Sequence, residues 1–122
     1  MAKKILIIED EPLLAEMYET RISREGFKVS VAQSVVQGIE LAKREKPNLI
    51  LLDILLPDGN GIDFLVMKQK EEGIASIPVV TFSNFDDPEA KKRALELGAK
   101  EYLLKTDYTP QELVKRMRSY VE

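Results

Sequence analysis

Leu49-Ile50-Leu51-Leu52-Asp53-Ile54-Leu55-Leu56-Pro57-Asp58-Gly59-Asn60-Gly61 passes from four consecutive apolar residues into an acid and then into a cluster of turn formers. A run so short and so uniformly apolar, closed by Asp, Pro and Gly, reads as a strand buried on both faces. The same grammar stands near the N-terminus, where Ile5-Leu6-Ile7-Ile8 ends in Glu9-Asp10. Working outward, short apolar runs alternate with amphipathic stretches five times, placing strands over 4–9, 27–32, 48–53, 78–83 and 101–104 with helices filling the intervals. Strand-then-helix repetition of this kind means a parallel sheet in an α/β fold.

Strand composition also orders the sheet. The first, third and fourth runs are continuously apolar, whereas Phe27-Lys28-Val29-Ser30-Val31 alternates and Tyr102-Leu103-Leu104 is short. Alternation and brevity belong at edges, so the order 2-1-3-4-5 follows. Ser34-Val35-Val36-Gln37 and Thr109-Pro110-Gln111-Glu112 fit helix capping boxes, Asp87-Pro88 is a similar start, and Gly26 and Gly98 fit helix ends. Val114, Met117 and Val121 give the last helix its apolar stripe.

Composition sets firm exclusions. The 122 residues suit one domain, with no low-complexity segment and no linker, so residues 1–122 are expected to form a single unit. A net charge of -3 offers a phosphate backbone no basic excess, so neither nucleic acid nor an anionic membrane is expected as a direct partner. No apolar stretch approaches the roughly 20 residues of a membrane span. Cysteine and histidine are both absent. Zinc sites built on imidazole or thiolate and Ser-His-Asp or Cys-His triads are therefore excluded, and the lack of cysteine agrees with a cytoplasmic address.

Chemistry must then use carboxylates, hydroxyls, amines or a hard cation. In an open parallel sheet, ligands bind beyond the carboxyl ends of the strands where the winding reverses, here between the first and third. Those strands end in Glu9-Asp10 and in Asp53. Carboxylates on strands about 4.8 Å apart repel unless a cation separates them, and Mg²⁺ suits such a loop site. Asp58-Gly59-Asn60-Gly61 is no calcium loop, because Ile62 occupies a ligand position, and it reads as a turn. Ser83 and Lys105 end the fourth and fifth strands. Acids, hydroxyl and ammonium on one sheet edge are the parts for moving a phosphoryl group. Taken singly, each has an ordinary explanation as a helix-start acid, a turn residue, a strand-end hydroxyl or a solvated lysine. Their convergence carries the argument.

The pattern resembles the response-regulator receiver family over essentially the whole chain. Glu9-Asp10 is similar to its acidic pair, Asp53 through Gly61 to its acceptor loop, Ser83 to its hydroxyl, Tyr102 to its switch aromatic and Lys105 to its lysine. The resemblance implies a three-layer, flavodoxin-like fold with a five-stranded parallel sheet and five helices. It further implies that Asp53 accepts phosphoryl, that Asp10, Asp53 and the Leu55 carbonyl bind Mg²⁺ directly and Glu9 through water, and that Ser83 and Lys105 hold phosphoryl oxygens. A histidine kinase or phosphotransfer protein would be the donor, and a downstream protein would read a face of helix four, strand five and helix five through Ser83 and Tyr102. Such a domain is no enzyme beyond its own phosphorylation and dephosphorylation.

Departures from the family carry expectations of their own. Thr106 replaces the usual Pro after Lys105, and since a cis bond without proline costs about 3 kcal/mol, Lys105-Thr106 is expected to be trans. Asn84 replaces a smaller residue and narrows the approach to Asp53, while apolar Leu55 and Phe85 favour a long-lived phosphoaspartate. Two rivals remain on the sequence alone. A Mg²⁺-dependent phosphatase would want a second acid where Leu55 stands, and a scaffold that is never phosphorylated would ignore Mg²⁺. Dinucleotide binding lacks its glycine signature.

Overall fold

The computed structural model describes residues 2–121. Five strands, β1 (Lys4–Ile8), β2 (Lys28–Ala32), β3 (Leu49–Leu52), β4 (Val79–Ser83) and β5 (Glu101–Leu104), form one parallel sheet in the order β2-β1-β3-β4-β5. The alternating and the short strand do lie at the edges. Five helices connect and follow the strands: α1 (Pro12–Arg24), α2 (Val35–Glu45), α3 (Gly61–Gln69), α4 (Pro88–Glu96) and α5 (Pro110–Val121).

Alternate strand residues feed two cores, as the pleat requires. Leu6, Ile8, Ile50, Leu52 and Val79 pack with α2 and α3 residues including Ile39, Phe64 and Leu65. Ile5, Ile7, Leu49, Leu51, Val80 and Phe82 pack on the other face with Tyr18 and Ile22 of α1 and Leu113, Val114 and Met117 of α5. Each buried aliphatic side chain contributes about 1.5 to 3 kcal/mol relative to exposure, so these two layers fix the strand register. The register aligns Ile8 with Leu52, which sets Glu9 level with Asp53 as the chain leaves the sheet.

Several local expectations are corrected. Thr109 and Glu112 do form a reciprocal capping box, each backbone N–H donating to the other's side chain. Ser34 forms only half of one: its hydroxyl accepts from the Gln37 N–H, but the Gln37 carbonyl oxygen reaches past it to the Gln33 N–H. A third box, Asn60 with Asp63, starts α3 where the sequence read only as a turn. The interval after α3 is not all helix. From Lys70 to Ile77 the chain makes successive turns, tied by Lys68 Nζ donating to the Ala75 carbonyl at 2.8 Å.

Between β3 and α3 the chain forms a two-residue antiparallel ribbon, Leu55–Leu56 against Gly59–Asn60. Gly59 has φ of 148°, and a Cβ on Gly61 would stand 2.7 Å from the Asp53 carbonyl oxygen and 3.1 Å from Ile54 Cα. Backbone cannot yield as a flexible side chain can. Gly61→Ala is therefore expected to destabilise the domain by about 1 to 3 kcal/mol and to displace Asp53, measured by urea denaturation. An alanine variant of wild-type stability would show that the loop gives way freely.

Candidate functional site

At the carboxyl edge of the sheet, oxygens of Glu9, Asp10 and Asp53 all lie within 4.8 Å of one another. The sheet itself positions two of them: the Asp53 N–H donates to the Ile8 carbonyl at 3.0 Å and the Glu9 N–H to the Ala32 carbonyl at 2.9 Å. Glu9 and Asp53 are buried, at 3% and 8% exposure. Lys105, arriving from β5, donates to Asp53 Oδ2 at 3.3 Å and makes a close ion pair with Glu9 Oε1. Asp53 Oδ1 accepts from the Ile54 N–H at 2.7 Å, and Glu9 Oε2 lies 3.5 Å from the Glu11 N–H.

The charges explain the titration. Burial, then the Asp53 carboxylate, raise the Glu9 pKa to about 7 against the opposing pull of Lys105. For Lys105, burial disfavours the charge, but hydrogen bonding and attraction from Glu9 and Asp53 prevail and raise its pKa. Two buried carboxylates thus share one ammonium, and the more exposed Asp10 stands beside them. This donor set of hard oxygens, in a chain without imidazole or thiolate, fits a hard divalent cation. Leu55, whose carbonyl was expected to join the set, is exposed in the ribbon.

Ser83 is fully buried at the end of β4, and its Oγ accepts from the Phe85 N–H at 3.1 Å. Tyr102, half-buried on β5, donates its hydroxyl to the Phe85 carbonyl at 2.5 Å. One peptide segment therefore joins the Ser83 hydroxyl at the end of β4 to the Tyr102 hydroxyl on β5. Burial, with Asp87, Asp53 and Asp86 adding, pushes the Tyr102 pKa up to about 12, so the phenol stays a donor. Asn84 is exposed, and the Lys105–Thr106 peptide is trans.

Some participants were missed. Asp58 accepts from the Val35 and Val36 N–H groups at 2.8 and 3.1 Å, tying the loop after Asp53 to the start of α2. These bonds hold its carboxyl below the usual range. Only the tendency of Asp to cap helices hinted at it, and its helix is 23 residues away in sequence. Tyr18 also lies near the site, its spacing with Ala15 and Ile22 marking it simply as core.

A doubly wound sheet with an acidic, lysine-bridged crevice at its switch point defines an α/β signalling domain of the phosphoacceptor class. Residues 5–118 match the response regulator receiver domain, and the chain belongs to that family. Among curated relatives, the phosphate regulon transcriptional regulatory protein PhoB of Escherichia coli K12 is 35% identical over 119 residues, covering 98% of this chain and 52% of the relative. The DNA-binding response regulator MtrA of Mycolicibacterium smegmatis is 34% identical over 119 residues, covering 98% and 50%. The chain spans about half the length of these relatives. Among solved structures, the CheY-like receiver domain protein of Methanospirillum hungatei superposes with a TM-score of 0.92 at 25% identity, covering 99% and 94% of the two chains. The BeF3-activated N-terminal receiver domain of Klebsiella pneumoniae RstA gives 0.89 at 29%, covering 98% and 99%. No helix among the described residues is long and apolar enough to cross a membrane.

Proposed function

We propose that residues 1–122 form one receiver domain, working in the cytoplasm, that takes a phosphoryl group onto Asp53 from a phosphohistidine on a histidine kinase or phosphotransfer protein. The observation that carries this reading is the meeting of Glu9, Asp10 and Asp53 within 4.8 Å, with the Lys105 ammonium bridging Glu9 and Asp53. In the transfer, an Asp53 carboxylate oxygen bonds to phosphorus while the bond to the partner's imidazole nitrogen breaks, and its electron pair leaves with the imidazole. Asp10, Asp53 and the Leu55 carbonyl would hold Mg²⁺ directly, with Glu9 behind a water. Bound there, Mg²⁺ supplies the positive charge that lets an anionic phosphoryl group approach an acidic crevice.

The chain's own groups do the rest. Lys105, already at the Asp53 carboxylate, turns a donor to a phosphoryl oxygen, and the Ser83 hydroxyl keeps its proton free to donate while its oxygen accepts from Phe85. Charge-assisted bonds of about 1.5 to 3 kcal/mol each make two or three of them comparable with the roughly 5.5 kcal/mol that reverses a two-state equilibrium. Movement of Ser83 toward the phosphoryl group would disturb the Phe85 peptide and with it the acceptor of Tyr102. The face of α4, β5 and α5 would change, and a downstream protein would read it. Direct contact with nucleic acid or membrane has no part in this reading of the domain, whatever the longer relatives bind, and its catalysis is confined to gaining and losing its own phosphoryl group.

Intact-mass measurement after incubation with a small phosphodonor is the test. One phosphoryl group per chain is expected, only when Mg²⁺ is present, and peptide mapping should place it on Asp53. Uptake at another residue, or none under any donor with Mg²⁺, would remove the reading, and calorimetric silence toward Mg²⁺ would favour the scaffold.

A further inference from the structure

The N–H groups of Val35, Val36 and Gln37 open α2 and have no acceptor inside the helix. Ser34 Oγ accepts from Gln37 at 3.1 Å, so the helix carries a cap of its own. The other two are served from a distant segment: Asp58 Oδ1 accepts from Val35 at 2.8 Å and Oδ2 from Val36 at 3.1 Å, across 23 and 22 positions of sequence. Asp58 stands in the turn of the ribbon that pairs Leu55–Leu56 with Gly59–Asn60, and the Gly61 N–H closes the base of that ribbon on the Ile54 carbonyl at 2.7 Å. At the far end of the link, α2 sits directly on β1. A Cβ on Gly38 would stand 2.7 Å from Ile8 Cδ1, and Val35 is 3% exposed. Ile8 immediately precedes Glu9 and Asp10.

The acids of the crevice therefore arrive from two sides, Glu9 and Asp10 from β1, Asp53 and the ribbon from β3. The ladder between β1 and β3 fixes the distance between those sides within the sheet, and the Asp58 bonds tie them together again beyond it. We propose that Asp58 is a positioning residue for cation binding: by clamping the ribbon to α2, it holds Leu55 and Asp53 at a set span from Asp10. The inference rests on the reading above, in which Asp10, Asp53 and the Leu55 carbonyl hold Mg²⁺. An acid so close in sequence to Asp53 could compete for the cation, but both its oxygens are engaged at a helix start, where the positive end of the dipole favours a carboxylate. Asp58 accordingly stays outside the group of carboxylates that meet within 4.8 Å. Coupling between bound states is reciprocal, so a clamp that favours the cation must itself be tightened by the cation, and by the same factor.

Asp58→Ala removes both bonds, whereas Asp58→Asn removes the charge and keeps one acceptor oxygen. Because Val35 and Val36 lack intrahelical acceptors, the exchange of their amide protons with water reports the clamp directly. It is read by NMR in metal-free and Mg²⁺-saturated protein, with the Gln37 amide on Ser34 as internal reference, and calorimetry gives the Mg²⁺ affinity. Expected are an affinity about fivefold weaker in Asp58→Ala, a smaller loss in Asp58→Asn, and exchange at Val35 and Val36 about fivefold slower in wild type once Mg²⁺ is bound, the lower end of coupling between linked sites. Exchange at those two amides that is indifferent to Mg²⁺ overturns the proposal. Equal losses in the two variants overturn it also, because the charge of Asp58 acting from a distance would then account for both. An alanine variant that binds as tightly as wild type removes the clamp and leaves the Mg²⁺ reading standing, whereas a wild type that binds no Mg²⁺ removes both.

Discussion

Asp53→Asn is expected to accept no phosphoryl group from any donor and to be more stable than the wild type in metal-free, mildly alkaline buffer. The amide is nearly isosteric and retains an oxygen for the Ile54 N–H, now bonded at 2.7 Å. Its NH₂, standing where Oδ2 was, can donate to Glu9 but cannot accept from Lys105, so the variant gives up that 3.3 Å bond together with one of the crowded carboxylates. The Asp53 carboxylate is among the groups that raise Glu9 to about 7 from 4.5. A carboxyl whose folded pKa exceeds its unfolded one favours folding below the unfolded value and loses that contribution as pH rises through the folded value. The wild type should therefore lose stability between about pH 4.5 and pH 7 as Glu9 ionises, and removing Asp53's charge softens that loss. A gain on the order of 1 kcal/mol, about one pKa unit, is expected at pH 8 and less at pH 5. Denaturation curves at the two pH values check it. A variant less stable than wild type at pH 8 would mean that Lys105 already compensates the acids in full.

How much of this was legible depended on whether a feature leaves a local pattern. Ile5 to Ile8 and Leu49 to Leu52 are continuously apolar because both faces of those strands are covered, and that is visible in any window of the sequence. The alternation of Lys28 to Val31 likewise displayed an edge strand. Once the order is known, Glu9, Asp53, Ser83 and Lys105 must gather at one edge, whatever the helices do. The links between these residues were not legible. Phe85 serves Ser83 and Tyr102 through its backbone, which every residue type possesses, so its name carries no signal. Asp58 caps a helix that precedes it in the chain, and Gln37 passes over the expected N–H for its neighbour's. Such bonds between segments are choices among near-equal partners, decided by packing that a linear reading does not contain.

Lys105→Met should produce the opposite signature to Asp53→Asn, and a larger one. The side chain is 9% exposed and faces Glu9 and Asp53, themselves at 3% and 10%. Removing one member of a buried ion pair costs about 3 to 5 kcal/mol, because the remaining charge is left without its partner. Here the remaining charge can escape by taking a proton. Lys105 is among the groups holding the Glu9 pKa down, so its loss carries that pKa above about 7, and Glu9 stays neutral over a wider range. The deficit relative to wild type should accordingly be small at pH 5 and approach the full cost by pH 8, where keeping the proton is itself unfavourable. A divalent cation offers a second escape, since it replaces the missing positive charge at the same oxygens. Millimolar MgCl₂ should raise the melting temperature of the variant more than that of the wild type, while phosphoryl uptake stays depressed about ten- to a hundredfold, the loss of one charge-assisted bond. Thermal melts at both pH values, with and without MgCl₂, read these effects separately. A deficit equal at pH 5 and pH 8 and indifferent to magnesium would show that Lys105 acts by packing its methylenes, and the electrostatic account of the crevice would fall with it.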